Sequence, residues 1–184
     1  MPSIVAHMVV ANKVASLLNI KSDDFYRGNL LPDIIDKEDS HMKIQSSIYL
    51  IPDIETNIKV LDLNKDIDKG YLVHLLLDKY YLEYYLSNKY NYNIFVDNDI
   101  YKEYDYLSYD LVNIFNLDVK YLTNILSIYD CKIKEDKLKL NIRSLNQHTL
   151  GNTKYIDLES FSKFLNDISN VIAKDVCYYE NKSS

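Results

Sequence analysis

The chain has 184 residues, of which 47% are hydrophobic and 26% charged, so it can bury the core of one domain and is not a disordered polymer. Three Gly and three Pro, all well separated, exclude clustered-glycine phosphate loops and turn-rich all-β folds, and no G-x-S-x-G elbow is present. A net charge of −6 argues against a dedicated nucleic-acid surface, although bound cations would still let such a chain engage phosphoesters.

Val5 to Leu18 is predicted to be an amphipathic helix with Asn12, Lys13 and Ser16 on its polar face. Ser22-Asp23-Asp24 has the composition of an N-cap and first turn, leading into a short helix through Phe25 and Tyr26. Gly28 to Asp39, containing Leu31-Pro32-Asp33, is expected to be loop, with His41 in a second loop or helix start. Ile51-Pro52-Asp53 repeats the Pro-Asp step and reads as a turn. The clearest helix runs from Asp66 to Ser87, followed by helices over Asn98 to Phe115 and Leu117 to Tyr129. Cys131 to Leu145 is ambiguous, because Lys-Leu-Lys-Leu-Asn-Ile alternates like a strand. Gln147 to Asp157 reads as loop. Leu158 to Tyr178 is a last helix with Phe161, Phe164, Leu165, Ile168, Val171 and Ile172 on one face. Residues 1–184 together read as a single all-α domain, a helical bundle. No apolar run approaches the roughly 20 residues of a transmembrane segment. The start lacks the basic region of a signal peptide, and Cys131 and Cys177 are far apart and read as free thiols, so a cytoplasmic location is expected.

The chain holds four histidines: His7, His41, His74 and His148. At about 100° per residue, Asp78 falls about 40° from His74, while Asp68, Lys69, Lys79 and Glu83 gather on the opposite side. His7 lies about 180° from Ser16, in line with Ala11, Val14 and Leu18. These polar groups therefore point to the apolar interior, where they are costly unless something binds them. A hydrogen-bonded core pair and metal ligation both fit His74 and Asp78, since His-x-x-x-Asp puts an imidazole and a carboxylate one turn apart. Adding His7, Asp33 and His41 gives three imidazoles and two carboxylates in positions that can converge. That donor set suits Zn²⁺, with Fe or Mn as alternatives. His148, Asp36 and Asp39 read as solvated and Arg27 as a surface residue. Tyr80, Tyr81, Tyr84 and Tyr85 read as packing residues with polar tips. Asn29 fits either a backbone contact or a ligand contact.

Met-Pro-Ser-Ile-Val-Ala-His, Phe-Tyr-Arg-Gly-Asn-Leu-Leu-Pro-Asp, Ser-His and Gly-Tyr-Leu-Val-His-Leu-Leu-Leu-Asp follow one another within residues 1–85. In this order they resemble the zinc-dependent phospholipase C family. The resemblance implies an all-helical fold shared with the single-strand-specific nucleases, and a cluster of up to three zinc ions that binds phosphate and activates water. By motif position it implies that Asp33, His41, His74 and Asp78 form one ion site, that His7 serves a neighbouring ion, and that Asp78 can bridge the two. The family's further His after His-x-x-x-Asp, and its His-x-x-x-Glu, are missing here. Lys79 to Tyr85 contains no histidine, and His148 is followed by Thr-Leu-Gly-Asn. One or two ions are therefore expected rather than three.

The function so implied is metal-dependent hydrolysis of a phosphoric ester, whether a phospholipid head group, a nucleotide or another phosphodiester. The metal would lower the pKa of its water to about 7 and polarise the phosphoryl oxygen. Asp33 would take the water's proton or else ligate the ion. The alternative is a non-catalytic helical domain with a structural or vestigial metal site. The other helical His/Asp hydrolase class requires an adjacent His-Asp dipeptide, which this sequence lacks.

Overall fold

Ser3 and Ser22 each place a hydroxyl over the open end of a helix. Ser3 accepts from the Ala6 N–H at 3.2 Å and opens α1 (Ile4–Leu18). Ser22 accepts from the Asp24 N–H at 3.2 Å and opens α2 (Asp23–Ile34), whose first turn sets Asp23 and Asp24 against the positive end of the helix dipole. Asn19 closes α1 in the left-handed conformation (φ 55°), which its short polar side chain tolerates. The computed structural model describes residues 2–35, 40–45, 50–86, 99–127, 151 and 153–183. The ambiguous segment Cys131 to Leu145, together with Asp36, Asp39 and His148, lies outside the described residues.

The loop expected from Gly28 onward is corrected for Gly28 to Ile34, which complete α2 with Pro32 inside it. Pro32 removes only one donor and sits in the last turn, so the helix ends two residues later instead of breaking in mid-course. Beyond α2 come β1 (Lys43–Gln45) and β2 (Leu50–Pro52), an antiparallel pair with Ile44 opposite Ile51. Asp53, expected in a turn, caps α3 (Ile54–Asn57) by accepting from the Thr56 N–H at 3.2 Å. A 3₁₀ turn (Ile58–Val60) precedes α4 (Asp66–Tyr80), which runs directly into a π-helical turn (Tyr81–Leu86). Among the described residues three further helices follow, α5 (Asp99–Ile114), α6 (Val119–Ser127) and α7 (Leu158–Ser183). Among the described residues the short hairpin is the one sheet, and the fold is all-α. No described helix is long and apolar enough to cross a membrane.

α1 is buried almost all round from Ile4 to Ala11, and a polar face emerges only toward its C-terminus at Asn12, Lys13 and Ser16. It packs against α2, α4, α5 and α7, so α1 and α4 share the centre of the molecule. The tightest approach is between α2 and α4. A Cβ on Gly28 would lie 1.8 Å from the Ile67 carbonyl oxygen, and one on Gly70 would lie 1.9 Å from that of Phe25. Each helix thus lays its backbone on the other's glycine, which brings the Asn29 carbonyl against the ring of His74.

α7 covers α1 and α4 with Phe161, Leu165, Ile168 and Ile172, and continues past Tyr178 with Val176 and Tyr179 also buried. Val171 departs from the expected face and is 43% exposed. Tyr81 and Tyr85, carried by the π-helical turn, stack with centroids 5.4 Å apart and meet Phe161 and Phe164. The Tyr81 hydroxyl meets that of Tyr104, and the Tyr80 hydroxyl donates to Asp175. These tyrosines pack with polar tips, as expected, while Tyr84 is exposed. The buried Glu103 carboxylate of α5 accepts the backbone N–H groups of Lys154, Tyr155 and Ile156 at 2.7–3.0 Å, which fastens the approach to α7.

Candidate metal centre

His74 and Asp78, one turn apart on α4, bring Nε2 and Oδ2 to 3.4 Å. Across the interface, α1 delivers His7, whose Nε2 is 3.4 Å from the other Asp78 oxygen, Oδ1. The His7 and His74 rings stack nearly parallel, with centroids 3.7 Å apart and planes within 6°. The last turn of α2 supplies Asp33, and the turn after it supplies His41; His41 Nε2 is 3.4 Å from Asp33 Oδ1 and 3.9 Å from Asp78 Oδ2. All five residues expected to ligate, His7, Asp33, His41, His74 and Asp78, therefore surround one point. His7, His74 and Asp78 are fully buried, whereas the side chains of His41 and Asp33 keep 17% and 12% exposure and form the side of the cluster facing solvent.

The hydrogen-bond inventory singles out the inward-facing atoms. His7 Nε2, His41 Nε2, His74 Nε2 and both Asp78 oxygens are buried with no hydrogen-bond partner. Unpaired polar atoms of this kind are rare in protein interiors, and a cluster of them calls for a bound species. The spacing suits a metal ion. Contacts of 3.4 Å are too long for charge-assisted hydrogen bonds, which close to about 2.7–2.9 Å. Two donors each about 2.0–2.1 Å from a tetrahedral ion stand roughly 3.3–3.4 Å apart, and three of the four imidazole–carboxylate contacts have that separation. Two sets of three, His7/His74/Asp78 and Asp33/His41/His74, have their ligating atoms within 4.8 Å of one another. His74 Nε2 can serve one ion only, whereas Asp78 offers a separate oxygen to each side.

Three ionisation shifts, those of His7, Asp33 and Asp78, fit cation binding, and that of His74 runs the other way. Burial opposes the Asp78 charge, but the adjacent His74 and His7 outweigh it and hold the carboxyl far below the usual range. Burial likewise opposes the charge on Asp33, and the contact with His41 together with the fields of His74 and His7 holds this carboxyl low. Burial, reinforced by His74, lowers the His7 pKa and favours the neutral ring a metal requires. Burial also acts to lower the pKa of His74, but Asp78, Asp33 and the Asn29 carbonyl raise it on balance.

The rings are held from behind. His74 Nδ1 meets the Asn29 carbonyl oxygen at 2.7 Å, and His41 Nδ1 meets Ser40 Oγ at 3.1 Å. Second partners of this kind orient metal-ligating histidines. The Asn29 side chain turns away, donating to the Gly70 carbonyl at 3.5 Å. Arg27 pairs with Asp24 at 2.9 Å on the surface, as expected. Ser40 and Tyr71, whose hydroxyl donates to the Ser40 carbonyl, are the residues that sequence reasoning did not single out. Their signals were the position of Ser40 beside His41 and of Tyr71 one turn before His74. No protein-family model matches the chain, and no curated protein or solved structure matches it.

Proposed function

We propose that this protein is a metal-dependent hydrolase of phosphoric esters, holding one or two zinc ions. The observation that carries the reading is the cluster of five buried or partly buried donors spaced as ligands of a tetrahedral ion, in which inward atoms of His7, His41, His74 and Asp78 lack hydrogen bonds. When bound, the metal supplies Lewis acidity toward a phosphoryl oxygen and a low pKa for its water. Asp33, His41, His74 and Asp78 Oδ2 hold one ion; His7 and Asp78 Oδ1 hold the second. Of the two roles expected for Asp33, its depressed pKa favours ligation, because a strongly acidic carboxyl is a weak proton acceptor near neutral pH. The side formed by Asp33 and His41, which keeps some exposure, is where water and an anionic ester reach the site. The substrate is a phospholipid head group, a nucleotide or another phosphodiester.

A second reading has its own support. His7, His74 and Asp78 are sealed from solvent, as the ligands of a structural ion would be. Metal analysis of protein purified without an affinity tag, followed by a screen of phosphodiesters and phosphomonoesters, separates the two. Catalysis predicts one or two ions per chain and a hydrolysis that chelator abolishes and Zn²⁺ restores. Bound metal with no ester turned over in any reconstituted sample would establish the structural role.

A further inference from the structure

His41 reaches the cluster from a turn, not from a helix. We propose that Ser40 is a positioning residue for the metal centre. Its hydroxyl holds neutral His41 in the tautomer protonated at Nδ1 and so presents a bare Nε2 to Asp33 and Asp78. This assignment rests on the metal reading above.

The number of protons available fixes the tautomer. Ser40 is buried, and its hydroxyl carries a single proton. Ser40 Oγ is 2.9 Å from the Pro32 carbonyl oxygen and 3.1 Å from His41 Nδ1. The carbonyl can only accept, so the hydroxyl proton goes to it. The oxygen then has only lone pairs to offer Nδ1, and the ring proton must sit there. Without the hydroxyl, the carboxylates 3.4 and 3.9 Å from Nε2 would draw that proton to Nε2 and block ligation.

The same hydroxyl couples ligands from different elements. Pro32 precedes Asp33, and its carbonyl is among the last four of α2, which have no partner within the helix. By satisfying it, Ser40 ties the His41 turn to the helix end that carries Asp33. Tyr71 then holds the Ser40 carbonyl from α4, one turn ahead of His74. His74 is fixed in a comparable way by the Asn29 carbonyl. His7 is not, since its Nδ1 is buried without a partner.

The test reads ring tautomers and zinc affinity. Histidine-selective ¹⁵N labelling of the metal-free full chain gives four rings, and His41 is assigned by the loss of its signals in His41→Gln. At a pH where the ring is neutral, wild type is expected to carry its His41 proton on Nδ1. Ser40→Ala should shift that proton to Nε2 and weaken Zn²⁺ binding, measured against a competing chelator, by about 10–100-fold. Ser40→Thr keeps the hydroxyl and should restore both the tautomer and the affinity, a rescue that a merely structural serine would not give in the ring spectrum. A neutral His41 protonated at Nε2 in wild type overturns the proposal, as does Ser40→Ala with wild-type zinc affinity. If Ser40→Ala does not fold, the wild-type ring spectrum decides alone. Failure of wild type to bind zinc would sink the metal reading, while the spectrum of the metal-free chain still decides whether Ser40 sets the tautomer.

Discussion

Asp78→Ala removes the one side chain that faces both halves of the cluster. Its oxygens stand 3.4 Å from His7 Nε2 and 3.4 Å from His74 Nε2, so its loss takes a donor from each set. In the metal-free protein the substitution is also destabilising, because His74 and His7 outweigh the burial penalty on this carboxylate. Deleting it removes that attraction and leaves the buried imidazoles without their partner, at a cost of roughly 3–5 kcal/mol. The response to zinc separates the proteins independently of that cost. Free Zn²⁺ at 1,000 times Kd stabilises a folded chain by about 4.1 kcal/mol, which for a domain of this size raises Tm by roughly 8–16 °C. A variant binding about 100-fold more weakly retains about 1.4 kcal/mol at the same zinc concentration, a rise of roughly 3–6 °C. Scanning calorimetry of both proteins, with zinc and with chelator, measures these shifts. A full wild-type zinc shift in Asp78→Ala would refute the assignment of Asp78. Unfolding of wild type by chelator alone would show that the ion is structural, because its binding energy is then folding energy.

His7→Ala should lower the zinc-to-protein ratio without abolishing binding, since Asp33, His41, His74 and Asp78 Oδ2 remain as one set; elemental analysis after dialysis reads the ratio. Gly70→Ala should destabilise the protein by roughly 2–4 kcal/mol in denaturant, because the new Cβ would sit 1.9 Å from the Phe25 carbonyl oxygen and force α2 off α4. The same displacement withdraws the Asn29 carbonyl from His74, so zinc affinity should fall as well. Acid should unfold the metal-free protein chiefly below about pH 4. Asp33 and Asp78 have folded pKa values depressed below their unfolded ones, so their contribution is present above the unfolded value and is lost as pH falls toward the folded one. His7, also depressed, loses stability as pH falls below about 6.5, whereas His74, raised, contributes below that value and loses it as pH rises; the two oppose each other near neutrality. Circular dichroism across pH 2–8 in chelator checks the profile, and a main transition near pH 6 would contradict it.

Local features were legible in the sequence because they are settled within a turn or two of chain. The four-residue spacing of His74 and Asp78, the inward placement of His7 and the Ser22 cap all depend on helical periodicity or on a bond to a near neighbour. His7, His74 and Asp78 were readable for the same reason, as polar groups on faces that had to be buried, whereas Asp33 and His41, expected in loops, entered the set through the order of the motifs. Tertiary contacts decided the rest. The helical fate of Gly28 to Ile34 depends on α4, because only a helix packed on another backbone makes use of Gly28 and tolerates Pro32 in its last turn. Val171 follows the same apolar period as its neighbours, yet it stays 43% exposed. Above all, the ring of His74 and the turn that carries His41 are held from a distance. His74 takes its acceptor from Asn29, 45 residues away, and the turn holding His41 is fastened by Tyr71, 31 residues from Ser40. Periodicity can say that a histidine faces inward. Which of its nitrogens is left bare depends on the acceptor that folding places behind it.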